Sequence, residues 1–495
     1  MKISIEKFNN SFKAFCIVIL FNNYYCISKT IYQTSFTDVD SLQHTHIAWN
    51  ISQGLKLYKD FFEHHGPLYS LLNGFILSKI ENPASINTLY FLREISFISS
   101  IICVLLIFLI AKNIYKSTNL ALLSITIYST WSIVQKVFIQ IRPDIMQNLF
   151  MLMAVYLLLK AKDTKFNILF LLSGFSYGLM ILFNLKSIIV IFALVFSLIY
   201  CKTFKDSLKK EILFLLIGFV IPLTCTSIYF FQQNAFNEFI YSNFVTNMNI
   251  FINKSTTRPY QFFAEAFILK DYLQTILLII SLYFINRNNF KQNIILSSFL
   301  FSLYGTIKGL HNHYTLIYLP YASIFISNFF FRSYFYCKEK KQQTIFVISS
   351  FLITLHLFNN NQIIHYADLK KESRLTHHEN LLNWTIANIN RQEPIGIVSN
   401  RCISYIFNKD LAPKIWFVHS KAKLKLSKMM IEQNIKKLKA INTTPSRNPF
   451  SQNNFSNLIL NGTKTCLLIN NNFYKQSDKN KQNTMLPKKI PQVKP

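Results

Sequence analysis

Apolar residues in this chain come in blocks of about 16 to 22, long enough to cross a hydrocarbon core as helix. Lipid offers backbone groups no partners, so helix is the form such blocks take. Hydropathy predicts about eleven spanning helices. Their cores are Phe12–Ile31, Thr88–Ile110, Leu120–Phe138, Gln147–Leu159, Ile168–Phe183, Ile188–Tyr200, Ile212–Phe231, Leu273–Ile285, Asn293–Ile307, Tyr314–Phe331 and Thr344–Phe358. The first block has no small-residue cleavage site after it and reads as a retained helix, not a signal peptide.

The polar segments between the blocks alternate in charge. One set carries Lys112, Lys116, Lys160, Lys162, Lys165, Lys202, Lys205, Lys209, Lys210, Arg287, Lys291, Arg332, Lys338, Lys340 and Lys341. The short loops of the other set hold only Arg142, Lys186 and Lys308. The positive-inside rule makes the first set cytoplasmic, together with the N-terminus, which carries Lys2, Lys7 and Lys13. Three long segments then lie outside: a first loop at 35–87, a second at 234–271, and everything after Asn359.

The expected fold is an all-α polytopic membrane protein with a small C-terminal extracytoplasmic α/β domain. Residues 1–358 form the membrane domain, 359–474 the outer domain and 475–495 a disordered basic tail. Within the first loop, Leu68–Ile80 is too short to span and reads as a helix lying along the surface. Within the outer domain, Ile395–Val398 and Cys466–Ile469 are strand-like, while 380–389 and Lys421–Lys439 read as helices.

Composition changes this picture in one respect. A net charge of +30 would point to nucleic acid in a soluble protein. Here the cations sit between apolar blocks and in the tail, so they serve as topology signals and contacts for anionic lipid. The excess of Phe, Ile, Lys, Asn and Tyr over Gly and Ala also follows the nucleotide bias of an AT-rich coding sequence. The eight Cys show no zinc spacing. Cys402 and Cys466 either pair, in an oxidising compartment, or remain two free thiols.

Candidate chemistry concentrates in the first outer loop, TDVDSLQHTHIAWNISQGLKLYKDFFEHHGPLYSLL. Asp38 and Asp40 precede His44 and His46, and Tyr58, Asp60, Glu63, His64, His65 and Pro67 follow. A helix starting near Asp40 sets Asp40, His44 and Ala48 on one face. Carboxylates and imidazoles gathered at a membrane surface suit proton transfer. The bland alternative is a solvated loop. A metal is the other alternative, since His44, His46, Glu63, His64 and His65 are all possible ligands, but they match no known metal motif. At outer helix ends stand Arg142-Pro143-Asp144, Asn184 with Lys186, and Lys308 with His311, His313 and Tyr314; Arg258 lies in the second loop. Each alone reads as interface anchoring. Together, facing an acidic loop, they can hold a phosphate beside a general base.

The run from Asp40 through Ala48 and Gly54 to Tyr58-x-Asp60-Phe61-Phe62-x-His64-x-x-Pro67-Leu68 resembles the membrane glycosyltransferases of the GT-C class. The resemblance is to the protein mannosyltransferase and aminoarabinose transferase group, glycosyltransferase family 39 and its bacterial relatives. It extends to Arg142-Pro143-Asp144, the Lys186 region and His313-Tyr314 leading to Pro320. Many relatives carry Asp-Glu where this chain has Asp40-Ser41, and Lys-Pro-Pro where it has His65-Gly66-Pro67.

The resemblance implies a sugar donor carried on polyprenyl phosphate and a lipid, glycan or protein acceptor at the outer face of a bacterial inner membrane. It implies an inverting displacement with Asp40, or Asp38, as base. Arg142, Lys186, Arg258, His311 and His313 would bind donor phosphate, and His44, Asp60, Glu63, His64 and His65 would form the acceptor side. No cofactor is required on this reading, though a divalent metal is compatible with it, and nucleic acid is not a partner. The competing class is a transporter or flippase for a lipid-linked or anionic substrate. Transporters usually keep their polar site near the midplane, in repeated halves; here the spans are nearly free of charge and no repeat is visible. A structural scaffold would leave the loop cluster unexplained.

Overall fold

The computed structural model describes residues 2–32, 39–61, 63–81, 86–200, 208–247, 272–284, 289–308 and 312–336, and the strands at 395–397, 439–442, 455–459 and 466–470. The helices are α1 (Lys2–Thr30), α2 (Val39–Ser52), α3 (Pro67–Leu77), α4 (Ile86–Tyr115), α5 (Thr118–Thr130), α6 (Ser132–Val137) and α7 (Pro143–Thr164). They continue as α8 (Asn167–Phe183), α9 (Ile188–Tyr200), α10 (Leu208–Gln232), α11 (Phe236–Ile240), α12 (Tyr272–Ser281), α13 (Phe290–Lys308) and α14 (Leu319–Tyr336). Among the described residues, four stretches within α1, α4, α7 and α10 are long and apolar enough to cross a membrane, and α3, α8 and 185–197 are shorter apolar helices. The chain is thus a multi-pass membrane protein.

The rod at the centre is α7. Arg142 takes the extended N-cap conformation, Pro143 occupies the first turn, where a missing N–H costs nothing, and Asp144 complements the helix dipole. Lys165 ends the helix in the left-handed region, φ 56°. Hydropathy sees only Gln147–Leu159 because the capping residues at both ends are polar. The C-terminal end of α7 meets the basic loops: Lys291 pairs with Asp163 at 2.6 Å and donates to Asn113 at 2.8 Å. Asn113 in turn donates to Asp163 at 2.9 Å, and Lys162 stands 3.5 Å from Glu211. This polar layer gathers ends of α4, α7, α10 and α13, as the alternation of loop charge implies.

Helices α7 and α10 both pack on α8. On α8, Gly174 and Gly178 form a small-xxx-small face that permits backbone contact. A Cβ at Gly174 would lie 2.0 Å from the Leu215 carbonyl oxygen, and one at Gly218 2.0 Å from that of Leu171. The opposite side of α10 exposes Leu213, Leu216, Val220, Ile228 and Phe231. That row would be an aggregation surface in water and faces acyl chains in a bilayer.

Two spans depart from the hydropathy reading. Leu120–Phe138 is broken at Trp131, whose extended backbone (φ −67°, ψ 127°) separates α5 from α6. Its indole N–H donates to Ser323 Oγ at 3.2 Å, a tertiary contact that no Gly or Pro announces. Tyr314–Phe331 opens as a 3-10 helix, Asn312–Ile317, before α14. The boundary at Lys186 is a 3-10 turn, Leu185–Ser187. In the C-terminal region, β1 (Ile395–Ile397), β2 (Lys439–Asn442), β3 (Phe455–Ile459) and β4 (Cys466–Asn470) form a sheet of order β1-β2-β4-β3. The β1–β2 pair is parallel and the others antiparallel. Both expected strands are present, and Lys439, placed in a helix by the sequence reading, opens β2. The span at Thr344–Phe358, the helix at 380–389, the rest of Lys421–Lys439 and the tail lie outside the described residues.

Candidate functional site

The first outer loop is a folded part of the bundle. Its helix α2 packs in two directions. Ala48 joins Tyr69, Leu92, Ile141 and Phe183 in one apolar cluster. Ile47 joins Tyr58, Phe61, Phe230 and Phe239 in another. This double burial carries the polar residues of α2 inward, so that His44 is only 1% exposed. The following segment is pinned by Gly66, where an added Cβ would lie 2.2 Å from the Leu182 carbonyl oxygen. Pro67 then starts α3.

Three polar points that are distant in sequence meet here. Arg142 forms ion pairs with Asp40 and with Asp144, the latter at 3.0 Å. Asn184 donates to Asp144 Oδ1 at 3.4 Å, and its side-chain oxygen accepts from the Lys186 N–H at 3.2 Å, capping the turn that carries Lys186. The Ile141 N–H donates to Ser41 Oγ at 3.0 Å. The start of α2, the start of α7 and the end of α8 are therefore tied together. Side-chain exposure separates the two carboxylates on Arg142: Asp40 is 26% exposed and Asp144 7%. Asp144 is the buried partner of Arg142, and Asp40 is the more exposed one.

Beside this network lies a second cluster. The Glu63 carboxylate, fully buried, accepts three hydrogen bonds at Oε1: from the His64 and His65 N–H groups at 2.7 and 2.8 Å, and from His65 Nδ1 at 2.6 Å. Among the described residues, its Oε2 is buried without a partner, as are both ring nitrogens of His44. The His44 ring stands edge-on to His65 (4.7 Å between centroids) and to Tyr69 (5.4 Å). Burial pushes the His44 imidazole down to about 3, with His65 adding to the effect and Glu63 and Asp40 opposing it. Burial and then Lys186 push His65 down to about 3 as well. Both rings are neutral at physiological pH.

The loop is closed from outside by contacts the sequence did not announce. Asn247 Nδ2 donates to the His64 carbonyl at 2.7 Å, and the Tyr58 hydroxyl to that of His65 at 2.7 Å. Tyr58 itself sits at φ 68°. Asp60 accepts from the Lys56 N–H at 2.7 Å and so closes the preceding turn. Among the residues expected at the site, Asp40, His44, Glu63, His64, His65, Arg142 and Lys186 belong to this end of the bundle. Asp38, Arg258 and His311 lie outside the described residues, and His313 falls within the 3-10 helix Asn312–Ile317.

A family model described as dolichyl-phosphate-mannose-protein mannosyltransferase matches residues 85–230, a span that holds Arg142, Asp144 and Lys186. The fold is similar to ArnT from Cupriavidus metallidurans bound to undecaprenyl phosphate, with TM-score 0.59 and 10% identity over 90% of this chain and 97% of that one. It is also similar to the archaeal oligosaccharyltransferase AglB from Archaeoglobus fulgidus, in complex with an inhibitory peptide and a dolichol-phosphate. There the TM-score is 0.52 at 13% identity, over 86% of this chain and 69% of that one. No curated protein matches in sequence. The fold is that of GT-C glycosyltransferases, and the resemblance to the mannosyltransferase and aminoarabinose transferase group rests on family model and fold together.

Proposed function

We propose that this chain, a polytopic membrane protein of GT-C fold, transfers a sugar from a polyprenyl-phosphate donor to an acceptor hydroxyl at the outer face of the membrane. The observation that carries the proposal is Asp40: of the two carboxylates on Arg142 it is the exposed one, at 26% against 7% for Asp144. Asp40 takes the proton of the acceptor hydroxyl as the oxygen attacks the anomeric carbon. The bond from that carbon to the phosphate oxygen breaks, the anomeric centre inverts, and polyprenyl phosphate leaves. The leaving group is already anionic and needs charge stabilisation more than a proton. Lys186, Arg258, His311 and His313 supply it. Arg142, engaged with Asp40 and Asp144, positions the base and adds its charge to the same region.

Purified protein incubated with radiolabelled polyprenyl-phosphate sugars and extracted envelope lipids should yield a labelled product. Asp40→Asn keeps the side chain's shape and removes the base, which is typically worth about 10²–10⁴ in rate, so transfer should all but vanish. Asp38→Asn, the control two residues away, should cost less, and Lys186→Ala should raise the donor concentration required. Parental rates in both aspartate variants would remove the main support for a transferase.

A further inference from the structure

We propose that the π-helical turn Tyr241–Val245 is a register device: it sets Asn247 on the His64 carbonyl and makes Asn247 a positioning residue for the 63–65 segment of the site. Its effect on sugar transfer rests on the function proposed above, and its effect on the loop does not. The turn follows α11 without a break. Thr246 donates its N–H to the Tyr241 carbonyl, five residues back, where an α-helix would bond four back. Such a turn takes in one residue more than the α-helix around it, and two side-chain amides bond along it. Asn243 Nδ2 donates to the Phe239 carbonyl at 3.3 Å, and Asn247 Nδ2 to the Asn243 carbonyl at 2.7 Å.

The extra residue decides which way Asn247 faces. Phe239 fixes the start of this arm, stacked on Phe230 at 4.7 Å and set against Tyr58 at 5.5 Å, in the apolar cluster that also holds Ile47 and Phe61. An α-helix turns about 100° per residue, so Asn247, eight positions on, would point about 80° away from Phe239. One residue taken up in the π turn returns about 100°, which leaves the two within about 20° of one face. That face is the one turned to the first outer loop. In uninterrupted α-helix the amide would miss the His64 carbonyl.

What Asn247 holds is the segment that carries Glu63, His64 and His65. The His64 and His65 N–H groups donate to Glu63 Oε1 at 2.7 and 2.8 Å. Their carbonyls are taken from the other side, by Asn247 and by the Tyr58 hydroxyl, each at 2.7 Å. Both partners of the Asn247 amide nitrogen are carbonyl oxygens, which only accept, so the nitrogen and not the oxygen of that side chain faces them. Tyr58 reaches His65 from a backbone held at φ 68°, a conformation that a bulky residue keeps only when its surroundings impose it. Asn243, inside the π turn, stands at the same hydroxyl. Two peptide groups gripped on both sides leave the His65 ring only its own torsions, and His65 feels the charges of Lys186, Asp40 and Arg142. A shift of the segment therefore reaches the reacting groups without Asn247 touching substrate.

The test uses the full chain, purified in detergent, with hydrogen exchange of the 63–67 segment read by mass spectrometry and transfer read from a labelled polyprenyl-phosphate sugar. Asn247→Asp keeps the shape and removes the donor, so exchange at His64 and His65 should rise by about tenfold, the weight of one hydrogen bond. The kcat should fall by about tenfold or more, with the donor KM within about twofold of the parent, because the loss is one of orientation. Asn247→Gln, which restores the amide one methylene further out, should recover part of both. Chain length tests the register. Deleting Tyr241, whose side chain is exposed, keeps Asn247 on the Phe239 face in plain α-helix and should leave exchange slow. An Ala inserted after Tyr241 turns the amide away by about 100° and should speed exchange as Asn247→Asp does. Thermal unfolding of each variant separates loss of the grip from loss of the fold. Parental exchange in Asn247→Asp, or fast exchange in the deletion and slow exchange in the insertion, would overturn the register device. Fast exchange with parental kcat in Asn247→Asp would overturn the positioning role. If the parent transfers no sugar, the proposed function fails, and exchange alone still judges the register.

Discussion

Gly66 shows how little room the site leaves at the level of single residues. Its φ of −57° suits any amino acid, and what reserves the position is space, because a Cβ would press into the Leu182 carbonyl. Overpacking of this kind costs about 1–3 kcal/mol when side chains can yield, and here the obstacle is backbone. Gly66→Ala should therefore lower the unfolding temperature and loosen the 63–67 segment, read as faster hydrogen exchange at His64 and His65. Unchanged exchange and stability would show that α8 yields. The sequence made Asp40, Glu63 and the loop histidines legible because charged residues are expensive beside a membrane and so stand out. It gave no cue to Asn247, an amide in a segment of ordinary composition that caps the loop only through the tertiary fold. Ser41 was visible only as a departure from the relatives' acidic residue, and its role as acceptor for the Ile141 N–H emerges from packing.

Among the elements, those bounded by long apolar runs were readable, and those defined by tertiary contact were not. The cores of α4, α8, α9 and α10 coincide with hydropathy because lipid enforces both. The break at Trp131 and the burial of α2 do not, since neither depends on local propensity. The α8–α10 contact is legible in part: Gly174 and Gly178 mark a close-packing face but not its partner. Because α8 ends at the turn carrying Asn184 and Lys186, this contact and the site are mechanically joined. Gly174→Leu should wedge the two helices apart and reduce both thermal stability and sugar transfer, whereas Phe166→Leu, on an exposed side chain, should alter neither. Equal stability in the two variants would mean that the backbone contact is dispensable.

Across the whole molecule, loop charge predicts two unlike ends, and the described residues contain two: Lys162, Asp163, Lys291 and Glu211 at one, Asp40, Arg142, Asp144 and Asn184 at the other. Sidedness follows as an expectation. Single cysteines at Ser85 and Asn361, in a cysteine-free background, should both react with an impermeant reagent applied from outside, and labelling of either only after the inner face is opened would invert the topology. Helix α7 joins the two layers, with Asp144 in its first turn and Asp163 in its last. At 1.5 Å per residue its 22 residues measure about 33 Å, against a hydrocarbon core of about 30 Å. Since both ends of this strut are tied to neighbouring helices by charge, it resists sliding past them, and it can meet a thinner bilayer by tilting with the bundle. It sets a gauge for its host: a bilayer of unmatched depth calls for tilt of the bundle or for deformation of the lipid around it, each at a modest cost in free energy.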